Sequence, residues 1–107
     1  MRLTPEQTRA IEQAARETFD PGSTVILFGS RLDDSARGGD IDLLIESPTP
    51  LSPDELVRRR NRFIARLYRL LGEQRIDVLI VPANHSDSRP VVKTARREGR
   101  LLTRVQA

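Results

Sequence analysis

The sequence contains neither cysteine nor tryptophan, and aromatic residues make up only 4% of its 107 residues. Without cysteine, disulfide bridges and thiolate metal sites are both excluded. No apolar run approaches the roughly 20 residues that a membrane-spanning helix needs. The segment from Met1 to Glu6 lacks the apolar core of a signal peptide. We therefore expect a cytoplasmic protein that makes no membrane contact.

The composition also limits the classes of ligand. The Gly-x-x-x-x-Gly-Lys pattern of P-loop proteins is absent. The net charge of +3 comes from an arginine-rich composition, but the few aromatic residues are not interleaved with the basic ones, so direct nucleic-acid binding is not expected. Hydrophobic residues at 37% and charged residues at 31% are typical of a globular protein. We expect residues 1–107 to form a single domain.

Helix and strand signals alternate along the chain. Capping boxes open the first two long helices, with Thr4 and Gln7 at the first and Ser52 and Glu55 at the second, and Gly72 ends the second. The patterns predict helices at 4–19, 52–71 and 90–98 and strands at 24–28, 40–46 and 75–81. Leu101-Leu102 either adds a small edge strand or packs back on the core. This order predicts an α/β (α+β) fold, a small mixed β-sheet backed by helices, whose strand order the sequence does not give.

Carboxylates occur at unusual places in two of the predicted strands. Asp40 and Asp42 open an otherwise apolar strand and point to the same face, because side chains alternate along a strand. Asp77 is the other carboxylate within an apolar strand, and it joins them if the two strands are neighbours. Three such charges, here called the acidic triad (Asp40, Asp42 and Asp77), repel one another unless cations compensate. The sequence thus predicts a site for Mg²⁺, and two ions are expected.

Ordinary structural roles are the alternative for the acidic triad. Asp40 would cap the start of a strand, Asp42 would pair with an arginine, and Asp77 would pair with Arg75 or another base.

A Gly-Ser pair follows the first predicted strand. Gly29 lets the backbone approach a phosphate closely, Ser30 adds a hydroxyl, and a short helix is predicted to begin there. Arg31 either adds positive charge to this phosphate site or faces solvent. Taken alone, Gly-Ser after a strand is more typical of a simple turn. Combined with the acidic triad, it predicts a metal-dependent site for a nucleoside triphosphate.

The spacing of these residues resembles a known signature. Gly29-Ser30, nine intervening residues and then Asp40-Ile41-Asp42-Leu43 is similar to the pattern of the nucleotidyltransferase superfamily that includes DNA polymerase β. The small size resembles its minimal nucleotidyltransferase branch. By this resemblance the chain has the polymerase-β-like fold, the acidic triad holds Mg²⁺ and carries catalysis, and Gly29 and Ser30 bind the triphosphate of ATP or another NTP.

The resemblance also implies a partner. Members of the minimal branch commonly accompany a HEPN-domain protein, as antitoxin to toxin, and some transfer AMP from ATP to that partner. One difference is visible in the loop from Leu32 to Arg37, which lacks the Phe-Ala-Arg-Gly run usual after the Gly-Ser pair. The role of Arg37 is therefore left open, and an oligomer is compatible with the sequence.

Arginines and the single histidine carry weaker signals. The predicted helix at 52–71 has a face of six arginines, which is either solvated and paired with acids or a docking surface for an acidic partner or RNA. Four more basic residues, one of which could reach a triphosphate, lie near the last helix: Arg89, Lys93, Arg96 and Arg97. His85 is expected to be an ordinary loop residue.

Three functions follow as alternatives. The first is a nucleotidyltransferase that adds a nucleoside monophosphate to a partner's hydroxyl, with Asp77 accepting the proton. The second is a binding module or antitoxin that neutralises a HEPN partner by contact alone. The third is a transferase for a small molecule of the aminoglycoside type, which the lack of an extra acceptor domain disfavours.

Overall fold

The computed structural model describes residues 3–29 and 40–107, and these form a mixed sheet with three helices. The helices are α1 (Pro5–Thr18), α2 (Pro53–Leu71) and α3 (Pro90–Glu98). The strands are β1 (Thr24–Phe28), β2 (Ile41–Ser47), β3 (Ile76–Pro82) and β4 (Arg100–Arg104). The predicted α/β class is confirmed, and the predicted short helix after Gly29 falls on residues 30–39, outside the described residues.

Helix starts agree closely with the capping signals. Thr4 accepts a hydrogen bond from the Gln7 backbone N–H, and the Gln7 side chain accepts one from the Thr4 N–H, which completes a capping box. Ser52 likewise accepts from the Glu55 N–H. The return bond predicted for Glu55 is not formed, because its carboxylate instead pairs with Arg58 and Arg59.

Strand boundaries differ slightly from the predicted ones. β2 and β3 each lie one residue further along the chain than predicted, since their ends depend on the neighbouring strand rather than on local sequence. The segment at Leu101-Leu102 is a strand, and it extends from Arg100 to Arg104.

The sheet has the strand order β3-β2-β1-β4, so β3 and β4 are its edges. β1 is antiparallel to both β2 and β4, whereas β2 and β3 are parallel, with α2 as the crossover between them. In the register, Phe28 lies opposite Asp42, and Asp42 lies beside Asp77. The carboxyl end of β1 and the amino ends of β2 and β3 therefore meet at one end of the sheet.

Apolar side chains cover both faces of the central strand β2. Leu43, Leu44 and Ile45 are fully buried, as the continuous apolar run predicts. On one face α1 and α2 pack over the larger core, where the rings of Phe19 and Phe63 lie 5.0 Å apart. On the other face α3 covers a smaller cluster that includes Leu44 and Val92. No helix among residues 3–29 and 40–107 combines the length and apolar character needed to cross a membrane.

Candidate active site

The sheet brings the acidic triad together at the end where β1 finishes and β2 and β3 begin. Asp42 and Asp77 are register neighbours on adjacent parallel strands, and Asp40 comes two residues before Asp42. One carboxylate oxygen from each of the three lies within 4.8 Å of the others. The side chains of Asp42 and Asp77 point to the sheet face that carries α3, because Ile41, Leu43 and Ile45 fill the core on the opposite face.

The ionisation of Asp42 is strongly perturbed. Burial raises the pKa of Asp42 from 3.8 to about 6, and the negative charges of Asp77 and Asp40, with a hydrogen bond to Asp77, act in the same direction. A carboxylate that is half withdrawn from water and faces two others gains strongly from a bound cation. Opposite ligand oxygens around Mg²⁺ stand about 4 Å apart, so the spacing and chemistry of the acidic triad fit a divalent ion.

Ion pairing within the described part of the chain does not neutralise the whole acidic triad. Arg75 approaches Asp40, with 3.9 Å between Nε and Oδ1, and its side chain is 81% exposed. One alternative from the sequence was an ion pair between Arg75 and Asp77. In the structure Arg75 approaches Asp40 instead. Among residues 3–29 and 40–107, neither Asp42 nor Asp77 has an arginine or lysine partner.

Gly29 lies directly against the acidic triad. Its φ of +79° is in the left-handed region, and a Cβ built there would overlap the Asp42 carboxylate oxygen Oδ2 and come within 3.1 Å of Cγ. A side chain at position 29 would displace the Asp42 carboxylate, so this arrangement requires glycine. Sequence reasoning assigned Gly29 to a close approach of phosphate and missed its contact with Asp42, which depends on the strand register.

The remaining predicted ligands of the triphosphate fall elsewhere. Ser30 and Arg31, predicted to bind nucleotide, and Arg37 lie outside the described residues, and their roles stay predictions. The catalytic and metal-binding roles of the acidic triad likewise stay predictions, although the structure brings its three members together.

The basic residues near α3 are directed away from the acidic triad where the structure shows their bonds. Arg96 donates to the Glu46 carboxylate and to the carbonyl oxygens of Pro82 and His85, at the opposite end of β2 and β3. Arg89 forms a bidentate pair with Asp87. The prediction that one basic residue of this group reaches a triphosphate stays a prediction.

Comparison with known proteins places this geometry in a family. No curated protein matches the sequence. The model of the family described as nucleotidyltransferase domain matches residues 9–102, which include Gly29 and the whole acidic triad. The match covers most of the chain, and the mixed sheet with its helices is consistent with the DNA polymerase β-like fold. The chain belongs to the nucleotidyltransferase domain family.

Proposed function

We propose that this protein is a Mg²⁺-dependent nucleotidyltransferase that transfers a nucleoside monophosphate, AMP from ATP, to a hydroxyl group of a partner protein. The observation that carries the proposal is the acidic triad, with three carboxylate oxygens within 4.8 Å of one another beside a glycine that leaves Asp42 its space. Family membership supports nucleotidyl transfer, and the acceptor and the base are part of the proposal.

The residues of the chain have distinct parts in this reaction. Asp40 and Asp42 would hold Mg²⁺, shared with Asp77. When bound, the ion supplies positive charge that offsets the charge of the phosphates and of the leaving pyrophosphate. Gly29, and Ser30 after it, would present backbone N–H groups to the β- and γ-phosphates at the end of β1. Holding the reactants in line supplies much of the rate in such transfers.

The transfer balances without a further reactant. The acceptor hydroxyl oxygen forms a bond to the α-phosphorus, the bond from that phosphorus to the bridging oxygen breaks, and pyrophosphate leaves. Asp77 is proposed to take the hydroxyl proton. It suits this role because its side chain is exposed and β3 is an edge strand, so an acceptor can approach from solvent.

A protein acceptor is supported by the open setting of the acidic triad. Asp77 is exposed, and Asp40 and Asp42 are only partly buried, so the described residues do not enclose an acceptor. A partner that brings its own surface can complete such a site. We propose that the partner is a HEPN-domain protein of toxin type and that this chain is its antitoxin.

The test is nucleotide transfer to the protein that is encoded beside this chain. The two proteins are incubated with Mg²⁺ and each NTP in turn, and the neighbour is weighed by intact mass spectrometry. We expect a gain of one or more AMP units with ATP, lost in Asp40→Asn and Asp42→Asn. It is expected to be retained in Asp54→Asn, which removes an exposed charge at the start of α2, beyond the carboxyl end of β2. Tight complex formation with no mass gain under any NTP would refute transfer.

The second candidate function is an antitoxin that acts by contact alone. The exposed basic face of α2 favours it, because that surface offers charge for docking without chemistry. In this case Asp40→Asn would neutralise the partner as well as the unchanged protein does.

A further inference from the structure

One face of α2 is exposed and mostly apolar, with Asn61 as its one polar side chain, while the helix packs its opposite side on the core. Val57 is 53% exposed and Tyr68 is 39% exposed, and they are two of the four large hydrophobic residues that are exposed in the described part of the chain. Asn61 and Ala65 lie between them at helical spacing and are exposed as well. From Val57 to Tyr68 the helix rises eleven times by about 1.5 Å, so this strip is about 16 Å long.

Arginines line both sides of this strip. Arg58, Arg62 and Arg69 follow it on the side toward α1, where Arg66 pairs with Glu17. Arg60 lies on the other side, and its Nε donates to the Val78 carbonyl of β3 at 3.1 Å. We call the apolar strip and its arginines the α2 surface; its members are Val57, Arg58, Arg60, Asn61, Arg62, Ala65, Tyr68 and Arg69.

The charge of the α2 surface is only partly offset within the protein. Arg58 pairs with Glu55 at 2.8 Å. Arg62 and Arg69 form no ion pair with any residue in 3–29 or 40–107. An apolar strip with unneutralised arginines at its border is complementary to an amphipathic helix with acidic residues beside its apolar side chains.

We propose that the α2 surface binds an acidic amphipathic helix of the partner protein. The C-terminal end of α2 lies toward the end of the sheet that carries the acidic triad, because a short connection leads from α2 to the start of β3, although the Asp42 and Asp77 side chains face the other side of the sheet. This inference takes from the proposed function the idea that the partner is also the acceptor.

Two other occupants fit the α2 surface less well. A second copy of this chain, docked by the same face about a two-fold axis, would bring the arginines of one helix against those of the other. Single-stranded RNA would use the arginines but leave the apolar strip unused, because Tyr68 is the single aromatic side chain on it and base stacking needs several.

The chain contains its own reporter for the test. Tyr68 is the only tyrosine and the sequence has no tryptophan, so intrinsic fluorescence observes the α2 surface directly. The probe is a synthetic peptide of leucine and glutamate with leucine at helical spacing. Comparison probes are a scrambled peptide of the same composition and an oligouridine RNA. Binding is measured by Tyr68 fluorescence at low and high salt.

Matched variants distinguish an effect of the α2 surface on peptide binding from an effect of net charge. Arg62→Glu with Arg69→Glu changes the α2 surface, whereas Arg97→Glu with Arg104→Glu makes the same charge change on exposed positions of α3 and β4. We expect the first pair to weaken peptide binding at least tenfold and the second to change it less than threefold. Val57→Asp tests the apolar strip with the arginines intact, and it too is expected to lose at least tenfold.

Each opposing outcome overturns the inference. These outcomes are equal losses in both variant pairs, equal binding of the scrambled peptide, tighter binding of the RNA, or no Tyr68 response at millimolar peptide. The proposed function fails separately. If the α2 variants still bind peptide poorly but the unchanged protein transfers no nucleotide to its partner, then transfer is refuted and the surface stands. Asp40→Asn is expected to bind peptide normally.

Discussion

Asp42 is the residue at which function and stability oppose each other most directly. Its pKa of about 6 lies above the ordinary 3.8, so the folded protein holds this proton more tightly than the unfolded chain does. Well below pH 3.8 the carboxyl is neutral in both states and has no effect on the free energy of unfolding. As the pH rises from 3.8 to about 6, the unfolded chain gives up this proton while the folded state still holds it, so stability falls, and above about 6 the loss is complete.

Asp42→Asn is therefore expected to stabilise the metal-free protein at pH 7.5. The full shift corresponds to about 3 kcal/mol, and partial access of water to the carboxylate reduces our expectation to about 1 kcal/mol. Urea unfolding in EDTA at pH 7.5 and pH 4 measures it, with Glu73→Gln as the control for losing a carboxylate. A variant less stable than the unchanged protein at pH 7.5 would contradict the electrostatic account.

Gly29 offers a second test at the residue scale, and Gly72 is its matched control. Both have positive φ, +79° and +82°, but an added Cβ meets the Asp42 carboxylate at Gly29 and nothing within 4 Å at Gly72. Alanine at either position costs about 1 kcal/mol from the backbone. We expect only Gly29→Ala to weaken Mg²⁺-dependent ATP binding, at least tenfold by isothermal titration. Equal ATP affinity in the two variants would show that the Asp42 contact is unimportant.

At the scale of elements, Arg96 fixes α3 to the sheet. Its Nε lies 2.8 Å from a Glu46 carboxylate oxygen, and its other nitrogens donate to the carbonyl oxygens of Pro82 and His85. The side chains of Arg96 and Glu46 are 24% and 19% exposed, so water can replace these bonds only in part.

Arg96→Ala is expected to destabilise the fold by about 2 kcal/mol, since Glu46 and two carbonyls lose a charged donor. Arg96→Lys is expected to recover little, because an ammonium group cannot reproduce the planar fork. Urea unfolding gives the free energy, and hydrogen exchange of α3 gives its location. Arg97→Ala, at an exposed neighbour, is the control and is expected to stay within 0.5 kcal/mol. Similar losses in both alanine variants would argue against this role of Arg96.

Elements also show what the sequence could predict. The starts of α1 and α2 are encoded locally, because Thr4 and Ser52 provide their caps within three residues. The direction of Arg96 and the packing of α3 on the face opposite α1 and α2 are not local properties. They depend on the position of β3 beside β2, which determines where the chain leaves the sheet before α3. The hydrophobic periodicity of the sequence carries no information about this strand order.

At the scale of the molecule, the candidate site is a consequence of strand order. Asp40 and Asp42 were identifiable as a pair because two residues along a strand share a face. Asp77 joins them only because β3 runs parallel to β2 as its neighbour, with Asp77 in register with Asp42. The sequence did not give this strand pairing, so the place of Asp77 in the triad depended on it. The arginine face of α2 was visible in the sequence, but its division into paired and unpaired arginines depends on Glu17 of α1 and on Asp20, which follows α1.

The same assembly makes the whole fold sensitive to its ligands. The protein carries a net charge of +3, yet the acidic triad concentrates three carboxylates at one end of the sheet, where their repulsion opposes folding. A ligand that binds only the folded state stabilises it by about 2.7 kcal/mol at a concentration a hundredfold above its Kd. For a domain of this size that corresponds to a rise in Tm of about 10 °C.

We therefore expect Mg²⁺ with a non-hydrolysable ATP analogue to raise the Tm by about 10 °C, and Mg²⁺ alone to raise it by less. In Asp40→Asn and Asp42→Asn the combined effect is expected to fall below about 3 °C, because a neutral amide is a poor ligand for Mg²⁺. Differential scanning calorimetry measures the shifts, with EDTA and with the analogue alone as references. Equal shifts in the unchanged protein and both variants would mean that nucleotide and metal bind away from the acidic triad.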